Sequence, residues 1–288
     1  MTESDKVVIR WMGAAHHHIV FRGARIVVDP LYTRLPGDVP HLEERREDCP
    51  KMDLLLLTHG HLDHSMDFPY LLSLHRPPAY APGKYREGLR KAKAEPGLSL
   101  DLSGCRALEE AAGKAFDLRG IEITPYRIGT EEIDFWFMRS MLARPFRHKL
   151  PGTVPFGLKW LSHHLFGNCF AYHFRFPAAG GTSMLFFGNL TGDVEGLGAV
   201  TKVDVLALPY CPANSKWQEQ TAHLIKRFCP RVVLVHHYDN FMNPYTLSKY
   251  LELAEYRKAL SGQCPGAVFF YSKFCRDVTL SEILAAAD

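Results

Sequence analysis

Three histidines and one aspartate fall within six residues of this chain, and their types and spacing are those of metal ligands. They are His59, His61, Asp63 and His64. Alternate side chains of an extended loop point to the same side, so His59 and His61 are placed to bind one ion together, and Gly60 between them adds no side chain. Imidazole and carboxylate ligands suit zinc, iron or manganese. The alternative is an ordinary polar loop with surface histidines.

The segments on either side of this loop indicate how it is positioned. An apolar run at 53–57 precedes it, and residues 65–72 have the composition of a helix. The pattern predicts a buried strand, a tight loop and the start of a helix. Asp63 and His64 would then lie in the first helical turn, where they can face a second ion beside the first.

The order His-x-His-x-Asp-His after an apolar strand resembles the metal motif of the metallo-β-lactamase superfamily. The resemblance implies an α/β fold, namely a four-layer αβ/βα sandwich with two facing mixed sheets and outer helices. It also implies a metal site at one edge of the sandwich. Most members are hydrolases that use metal-bound hydroxide, while some are oxygenases or electron-transfer proteins and some have lost activity.

The opening of the chain extends this resemblance. Strands are predicted at 6–13, 18–21 and 24–30, and the last contains Val28-Asp29-Pro30. This order resembles the ascorbate-6-phosphate-lactonase-like and N-acyl-phosphatidylethanolamine phospholipase-like branch, in which Asp29 would lie near the metals. An Asp-Pro turn after a strand explains the same residues without a functional role.

The resemblance implies further ligands at the ends of later strands. One ion would take His59, His61 and a middle histidine, and the other would take Asp63, His64 and a last histidine. We expect His237 as the last ligand, because it lies just past a strand at 232–235, while His236 would point to the opposite side. We expect His148 as the middle ligand, because it lies in a loop before a strand at 169–176. The competing histidines are His75, His163 and His164.

The bridging aspartate of the family pattern is missing. The strand at 183–187 ends in Gly188-Asn189 rather than Gly-Asp. An amide oxygen is a weaker ligand than a carboxylate, so the second ion should bind less tightly and the bridging water should be less acidic. Asp193 is the alternative bridging residue if its loop folds back.

A long irregular segment at 127–167 predicts a lid or insertion. It carries Arg144, Arg147 and Lys149 near His148, which suits an anionic substrate, and an apolar stretch around 156–165 that suits an acyl chain. A membrane-surface contact is the alternative for that stretch. The remaining predicted elements are a strand at 77–82, a basic helix at 84–94, strands at 115–118, 121–126 and 203–209, helices at 221–228 and 246–260, and a final strand at 267–271.

Length and composition limit the other possibilities. The 288 residues fit one large domain spanning 1–288, and 47% hydrophobic residues supply a sizeable core. The formal charge of +3 gives no case for nucleic acid as a partner. No apolar run is long enough to span a membrane, and the first residues do not form a signal peptide. Seven scattered cysteines indicate reduced thiols in a cytoplasmic protein.

These observations lead to three hypotheses. The first is a zinc-dependent hydrolase, with one or two ions, that acts on an ester, lactone or phosphodiester of a small or lipid-like anionic molecule. Asp63 and Tyr238 would be catalytic, and Arg144, Arg147 and Lys149 would bind the substrate. The second is an iron oxygenase or other redox enzyme on the same fold, since histidine and carboxylate also suit iron and manganese. The third is a binding protein with a degenerate site, which Asn189 alone supports.

Overall fold

The computed structural model describes residues 5–35, 37–91, 99–130, 168–210, 214–241 and 253–287. Within these residues the strands form two sheets of seven strands each. The first sheet has the order β14 (Asp277–Thr279), β1 (Val8–Trp11), β2 (His17–Phe21), β3 (Ala24–Val28), β4 (Leu54–Leu56), β5 (Ala79–Ala81) and β6 (Cys105–Ala107). Strands β14 to β3 pair antiparallel, and β3 to β6 pair parallel.

The second sheet is also mixed. Its order is β13 (Phe269–Tyr271), β12 (Val232–His236), β11 (Val205–Pro209), β10 (Thr182–Phe187), β9 (Cys169–Phe176), β8 (Ile121–Ile128) and β7 (Phe116–Leu118). Strands β7 to β10 pair antiparallel, and β10 to β13 pair parallel.

Short helices connect the strands. The described helices are α1 (Leu62–Ser65), α2 (Phe68–His75), α3 (Gly83–Lys91), α4 (Leu108–Ala111), α5 (Trp217–Phe228), α6 (Leu253–Ser261) and α7 (Leu280–Ala285), with 3₁₀ turns at Arg46–Asp48 and Glu195–Leu197. None of the helices within the described ranges is long and apolar enough to cross a membrane.

The core explains why the apolar run before the histidines forms a strand. Side chains alternate across a strand, so Leu54 and Leu56 face the layer between the two sheets, and Leu55 and Leu57 face the outer layer under α2 and α3. A parallel strand buried on both faces is continuously apolar. The outer face of the second sheet is covered in the same way by α5 and α6. The predicted four-layer sandwich is therefore confirmed.

The carboxyl ends of the parallel strands of both sheets lie at one edge of the sandwich. Asp29 follows β3 and Thr58 lies just beyond β4 in the first sheet, and Gly188 and His237 follow β10 and β12 in the second. The loops beyond the carboxyl ends of parallel strands are the usual place for ligand sites in α/β folds. The predicted metal ligands are therefore brought to a common edge by strand polarity.

The end of the chain differs from the sequence prediction. Strand β13 is not the last one, because β14 and α7 follow it, and β14 pairs with β1 in the first sheet. The three residues of β14, of which Asp277 is exposed and the other two are half-buried, are too few to show an alternating pattern. The start of α7 did carry a signal, since Thr279 and Glu282 form a capping box.

Candidate metal centre

Asp63, His64 and His237 form a compact triangle at this edge. The Oδ2 atom of Asp63 lies 3.4 Å from Nε2 of His64 and 3.3 Å from Nε2 of His237. One side-chain atom from each residue falls within 4.8 Å of the others, which is a spacing able to enclose a metal ion. Asp63 and His64 come from α1, and His237 follows β12. The structure thus brings together the three residues expected to share one ion.

The second carboxylate oxygen of Asp63, Oδ1, is buried and has no hydrogen-bond partner among the described residues. A buried carboxylate oxygen without a partner is costly. A water beside a bound divalent cation would satisfy it.

The two neighbouring histidines after β12 have different environments. His236 is fully buried, its ring stacks on Phe186 with centroids 5.0 Å apart, and it packs in the core as expected. His237 is partly exposed and has a φ of 61°. Such a left-handed conformation is uncommon for residues other than glycine, and it turns the chain directly after the strand.

His59 lies beside the triangle and His61 beside His59. The rings of His59 and His64 are 4.0 Å apart, and those of His59 and His61 are 4.4 Å apart, measured between centroids. Nδ1 of His59 is 2.9 Å from the Thr58 hydroxyl. His59 forms a second group of possible ligands with Asp29 and His64, whose ligand atoms lie within 4.8 Å of one another, whereas His61 belongs to neither group among the described residues.

Asp29 connects the first sheet to the triangle. Its buried carboxylate accepts hydrogen bonds from the Thr58 backbone N–H at 2.7 Å and the Thr58 hydroxyl at 2.5 Å, and it lies 2.8 Å from Nδ1 of His64. Asp29 also has a left-handed φ of 49°. A partner at Nδ1 fixes the ring orientation so that Nε2 faces Asp63. Asp29 therefore does more than form an Asp-Pro turn after β3, because its carboxylate contacts His64.

Gly188 allows the second sheet to approach this group. A Cβ atom at position 188 would lie 2.0 Å from the Thr58 hydroxyl oxygen and 2.7 Å from Oδ2 of Asp29. Both distances are shorter than any real carbon contact. The glycine that ends β10 is therefore required by the close packing of the two sheets at the site.

The electrostatics of the triangle favour an ion pair. Burial opposes ionisation of Asp63, but the adjacent His64 and His237 rings keep its pKa well below the usual range. Burial lowers the pKa of His64, but the carboxylates of Asp63 and Asp29 outweigh this effect and raise the pKa to about 10. In the metal-free protein His64 therefore carries a proton that a metal ion must displace.

Asn189 and Asp193 occupy different environments. Asn189 is buried, its Nδ2 donates to the Gly129 carbonyl at 3.2 Å, and its Oδ1 has no partner among the described residues. Asp193 is exposed, and its Oδ1 accepts from the Glu195 backbone N–H at 3.4 Å. The structure therefore does not bring Asp193 into either group of close candidate ligands.

Tyr238, which was expected to be catalytic, has its side chain in the core of the second sheet. Its side chain is buried, its hydroxyl donates to the Ser272 carbonyl, and its ring packs 4.3 Å from that of Trp11. Although Tyr238 directly follows His237, its side chain points away from the triangle and into the apolar core of the second sheet. Tyr238 therefore anchors the segment that carries His237.

Several expected site residues lie outside the described residues. These are Arg144, Arg147, His148, Lys149, Phe156, Trp160, His163 and His164. His75 is described, and it lies at the end of α2 with Nε2 3.1 Å from the Cys49 carbonyl oxygen. It is not part of the triangle or of the Asp29–His59–His64 group.

The sequence analysis missed a buried ion pair behind the site. The guanidinium of Arg34 lies 3.0 Å from the Asp239 carboxylate, and both side chains are almost completely buried. The Asp239 carboxylate also accepts from the Ala14 backbone N–H at 2.8 Å. Backbone hydrogen bonds between Val39 and Asn240 join the same two loops. This pairing anchors the chain two residues after His237.

The chain is similar to known metal-dependent proteins. Residues 19–159 match the family model for the metallo-beta-lactamase superfamily. A UPF0173 metal-dependent hydrolase from Polaromonas sp. is 32% identical over 80 residues, which are 28% of this chain and 29% of that protein. The first three relatives are matched over less than half of their own lengths. A further UPF0173 metal-dependent hydrolase, from Herpetosiphon aurantiacus, is 24% identical over 268 residues, with 91% of this chain and 97% of that protein covered.

A solved structure shares the fold. A metallo hydrolase from the archaeon Ignicoccus hospitalis superposes with a TM-score of 0.61 at 16% sequence identity, over 96% of this chain and 98% of the other. The likeness at this identity concerns the architecture, and it agrees with the two facing sheets described above.

Proposed function

We propose that this chain is a metal-dependent hydrolase of the metallo-beta-lactamase superfamily that acts on a small anionic ester, lactone or phosphodiester. The observation that carries the proposal is the triangle of Asp63, His64 and His237, with ligand atoms 3.3 and 3.4 Å apart. The relatives from Polaromonas and Herpetosiphon are both named metal-dependent hydrolases.

The donor set fits a divalent cation such as zinc. Two imidazole nitrogens and one carboxylate oxygen match the ligand types of catalytic zinc sites, which keep a position open for water. The ion would bind Oδ2 of Asp63, which faces both histidines, and the unpartnered Oδ1 atom would then be left for a water beside the ion. When bound, the ion supplies a water of lowered pKa and polarises the bond to be cleaved.

The protein groups have separate tasks in this proposal. Asp63, His64 and His237 bind the ion, with His59 and His61 beside them. Asp29 orients His64 through its Nδ1, and Thr58 orients Asp29. Asp63 also has an oxygen available to accept a proton from an adjacent water.

The segment 131–167 would complete the site. We propose His148 as a further ligand and Arg144, Arg147 and Lys149 as the groups that bind an anionic substrate. Guanidinium and ammonium groups near a metal-bound water would stabilise the negative charge that develops during hydrolysis. An acyl substituent would contact Phe156 and Trp160.

The experiment is a combined metal and activity measurement. Wild type, Asp63→Asn and His75→Ala are purified with zinc, analysed for metal, and assayed with aryl esters, lactones and an aryl phosphodiester. We expect Asp63→Asn to lower activity at least about 100-fold with loss of metal, since a ligand is removed. His75→Ala removes an imidazole outside the triangle and should retain both. Full activity in Asp63→Asn would refute the proposal.

The donor set also suits iron, which is the second candidate. Metal analysis of protein purified without added metal separates the two. Iron as the retained metal, together with dioxygen consumption and no hydrolysis of the panel, would favour an oxygenase.

A further inference from the structure

Asp67 connects the helix that carries two candidate ligands to a separate loop. It lies just before α2, at a position where an aspartate side chain usually accepts hydrogen bonds from the first N–H groups of its own helix. Here it makes no such bond. The buried carboxylate instead accepts from the backbone N–H groups of Tyr32 and Thr33 and from the Thr33 hydroxyl, each at 2.7 Å. The chain just after His64 is therefore tied to the loop that follows β3.

The next residue of that loop holds the segment that carries the third candidate ligand. The guanidinium of Arg34 lies 3.0 Å from the carboxylate of Asp239, two residues after His237, and it also donates to the Met12 carbonyl oxygen. Gly13 provides the space for this side chain, since a Cβ atom there would lie 2.1 Å from Nη2 of Arg34. The arginine is therefore fitted closely to the backbone beneath it.

The same loop starts at the candidate metal centre. Asp29, at the end of β3, lies 2.8 Å from Nδ1 of His64 and accepts from the Thr58 backbone N–H. Within residues 29–34 the chain thus makes three buried carboxylate contacts, through Asp29 itself, Asp67 and Asp239. We refer to these six residues as the 29–34 loop.

The positions of Asp63 and His237 require such a connection. Asp63 belongs to α1, which follows a strand of the first sheet, whereas His237 follows a strand of the second sheet. The hydrogen bonds within either sheet therefore do not fix the 3.3 Å between Oδ2 of Asp63 and Nε2 of His237. A metal site binds tightly only if its ligands are held close to the final geometry before the ion arrives. The 29–34 loop contacts both segments, so it is placed to hold them.

We infer that the 29–34 loop sets the separation of the two segments that carry the candidate ligands, and thereby sets the affinity for the metal ion. The positioning residues are Thr33, Arg34, Asp67 and Asp239. The inference rests on the proposed metal-dependent function, and it adds residues that do not belong to either group of close candidate ligands among the described residues. When the loop is loosened, the ion has to bring the ligands together itself, so it binds more weakly.

The test measures zinc affinity by competition with a chromophoric chelator. Thr33→Val keeps the size of an exposed side chain and removes the hydroxyl that donates to Asp67, whereas Thr33→Ser retains a hydroxyl. We expect Thr33→Val to bind zinc about 3- to 10-fold more weakly, up to the equivalent of one charge-assisted hydrogen bond. Thr33→Ser should bind zinc as wild type does. Arg34→Lys should show a loss similar to that of Thr33→Val, because an ammonium group does not reproduce the guanidinium contacts.

A matched control separates positioning from general stability. Asp204 accepts from the backbone N–H and the hydroxyl of Ser183, which are the same two donors that Thr33 offers to Asp67, but these residues lie at the amino ends of β10 and β11. Asp67→Asn and Asp204→Asn should both lower the melting temperature of the metal-free protein. We expect only Asp67→Asn to weaken zinc binding. It should also change the visible absorption of the cobalt(II)-substituted protein, which depends on the geometry of the ligands.

The outcomes distinguish this inference from the proposed function. Equal zinc affinity and identical cobalt spectra in wild type, Thr33→Val and Asp67→Asn, with changes in melting temperature alone, would overturn the inference and leave the function intact. If Asp67→Asn does not fold, the comparison of Thr33→Val with Thr33→Ser decides the question, because Thr33 is exposed. Failure of wild type to bind zinc would refute the metal-dependent function, and the inference with it.

Discussion

The carboxylate of Asp29 lies 2.8 Å from Nδ1 of His64, and this contact joins residues that are 35 positions apart in the chain. It fixes the ring of His64 between two carboxylates, with Nε2 3.4 Å from Asp63. The orientation of a candidate ligand is thus set by a residue at the end of a neighbouring parallel strand.

Asp29→Asn should therefore weaken zinc binding without removing a ligand. The amide cannot accept from the Thr58 N–H, the Thr58 hydroxyl and His64 with the same geometry, so we expect a loss of about 10- to 100-fold in zinc affinity. Competition with a chromophoric chelator measures it. Asp204→Asn is the matched control, since Asp204 accepts from the Ser183 N–H and hydroxyl before β11. Equal affinity losses in both variants would contradict the positioning role.

The metal-free protein should lose stability as the pH rises from about 6.5, the ordinary histidine value, towards 10. In the folded protein the pKa of His64 is raised to about 10. The contribution of His64 to the free energy of unfolding is therefore complete below its pKa in the unfolded chain, and it is lost as the pH rises through its pKa in the folded protein. We expect a decline of a few kcal/mol in the free energy of unfolding. Denaturant titrations at several pH values measure it.

His64→Gln provides the comparison for this pH dependence. The variant should show a flatter profile over the same range, and an identical profile would refute the assignment. The measurements begin near pH 6.5 because, at acid pH, other buried histidines make the free energy of unfolding change in the opposite direction. Burial lowers the pKa of His17 to about 4 and that of His18 to about 3, so their contributions are lost as the pH falls.

His59→Ala and His61→Ala should each abolish metal binding at the first position, beside His59, and leave the fold intact. Both residues lie in the loop before α1 rather than in the apolar clusters, so their removal creates little cavity. Elemental analysis and thermal melting check the two parts of the prediction. A variant that retains the full metal content would exclude that residue as a ligand.

His148 should be the middle ligand rather than His163 or His164. The reason is its place in the sequence, among Arg144, Arg147 and Lys149 and before the strand at 169–176; all three histidines lie outside the described part of the chain. Single alanine variants of the three are compared for zinc affinity under identical conditions. A loss confined to His163→Ala or His164→Ala would show that the prediction is wrong.

The sequence predicts the part of the site that is local in the chain. His59, His61, Asp63 and His64 are four residues of one loop, and the apolar run before them fixes the strand that positions it. The sandwich was implied by the resemblance of this motif to that of the metallo-β-lactamase superfamily. His237 was expected from its place after β12, and the structure brings it 3.3 Å from Asp63.

Contacts between distant segments were not predictable in the same way. The pairing of Arg34 with Asp239 joins residues 205 positions apart, and neither residue belongs to a recognisable pattern. Tyr238 was expected to be catalytic, and the structure places its hydroxyl in the core, where it donates to the Ser272 carbonyl oxygen. Residue order alone does not specify on which side of a turn a side chain lies.

The central claim is that Asp63, His64 and His237 bind a metal ion. Anomalous diffraction from a crystal of the protein grown with zinc tests it most directly. We expect an ion about 2.0–2.2 Å from Oδ2 of Asp63, Nε2 of His64 and Nε2 of His237, the usual range for zinc. A structure with bound zinc elsewhere and these three residues still in mutual contact would contradict the claim.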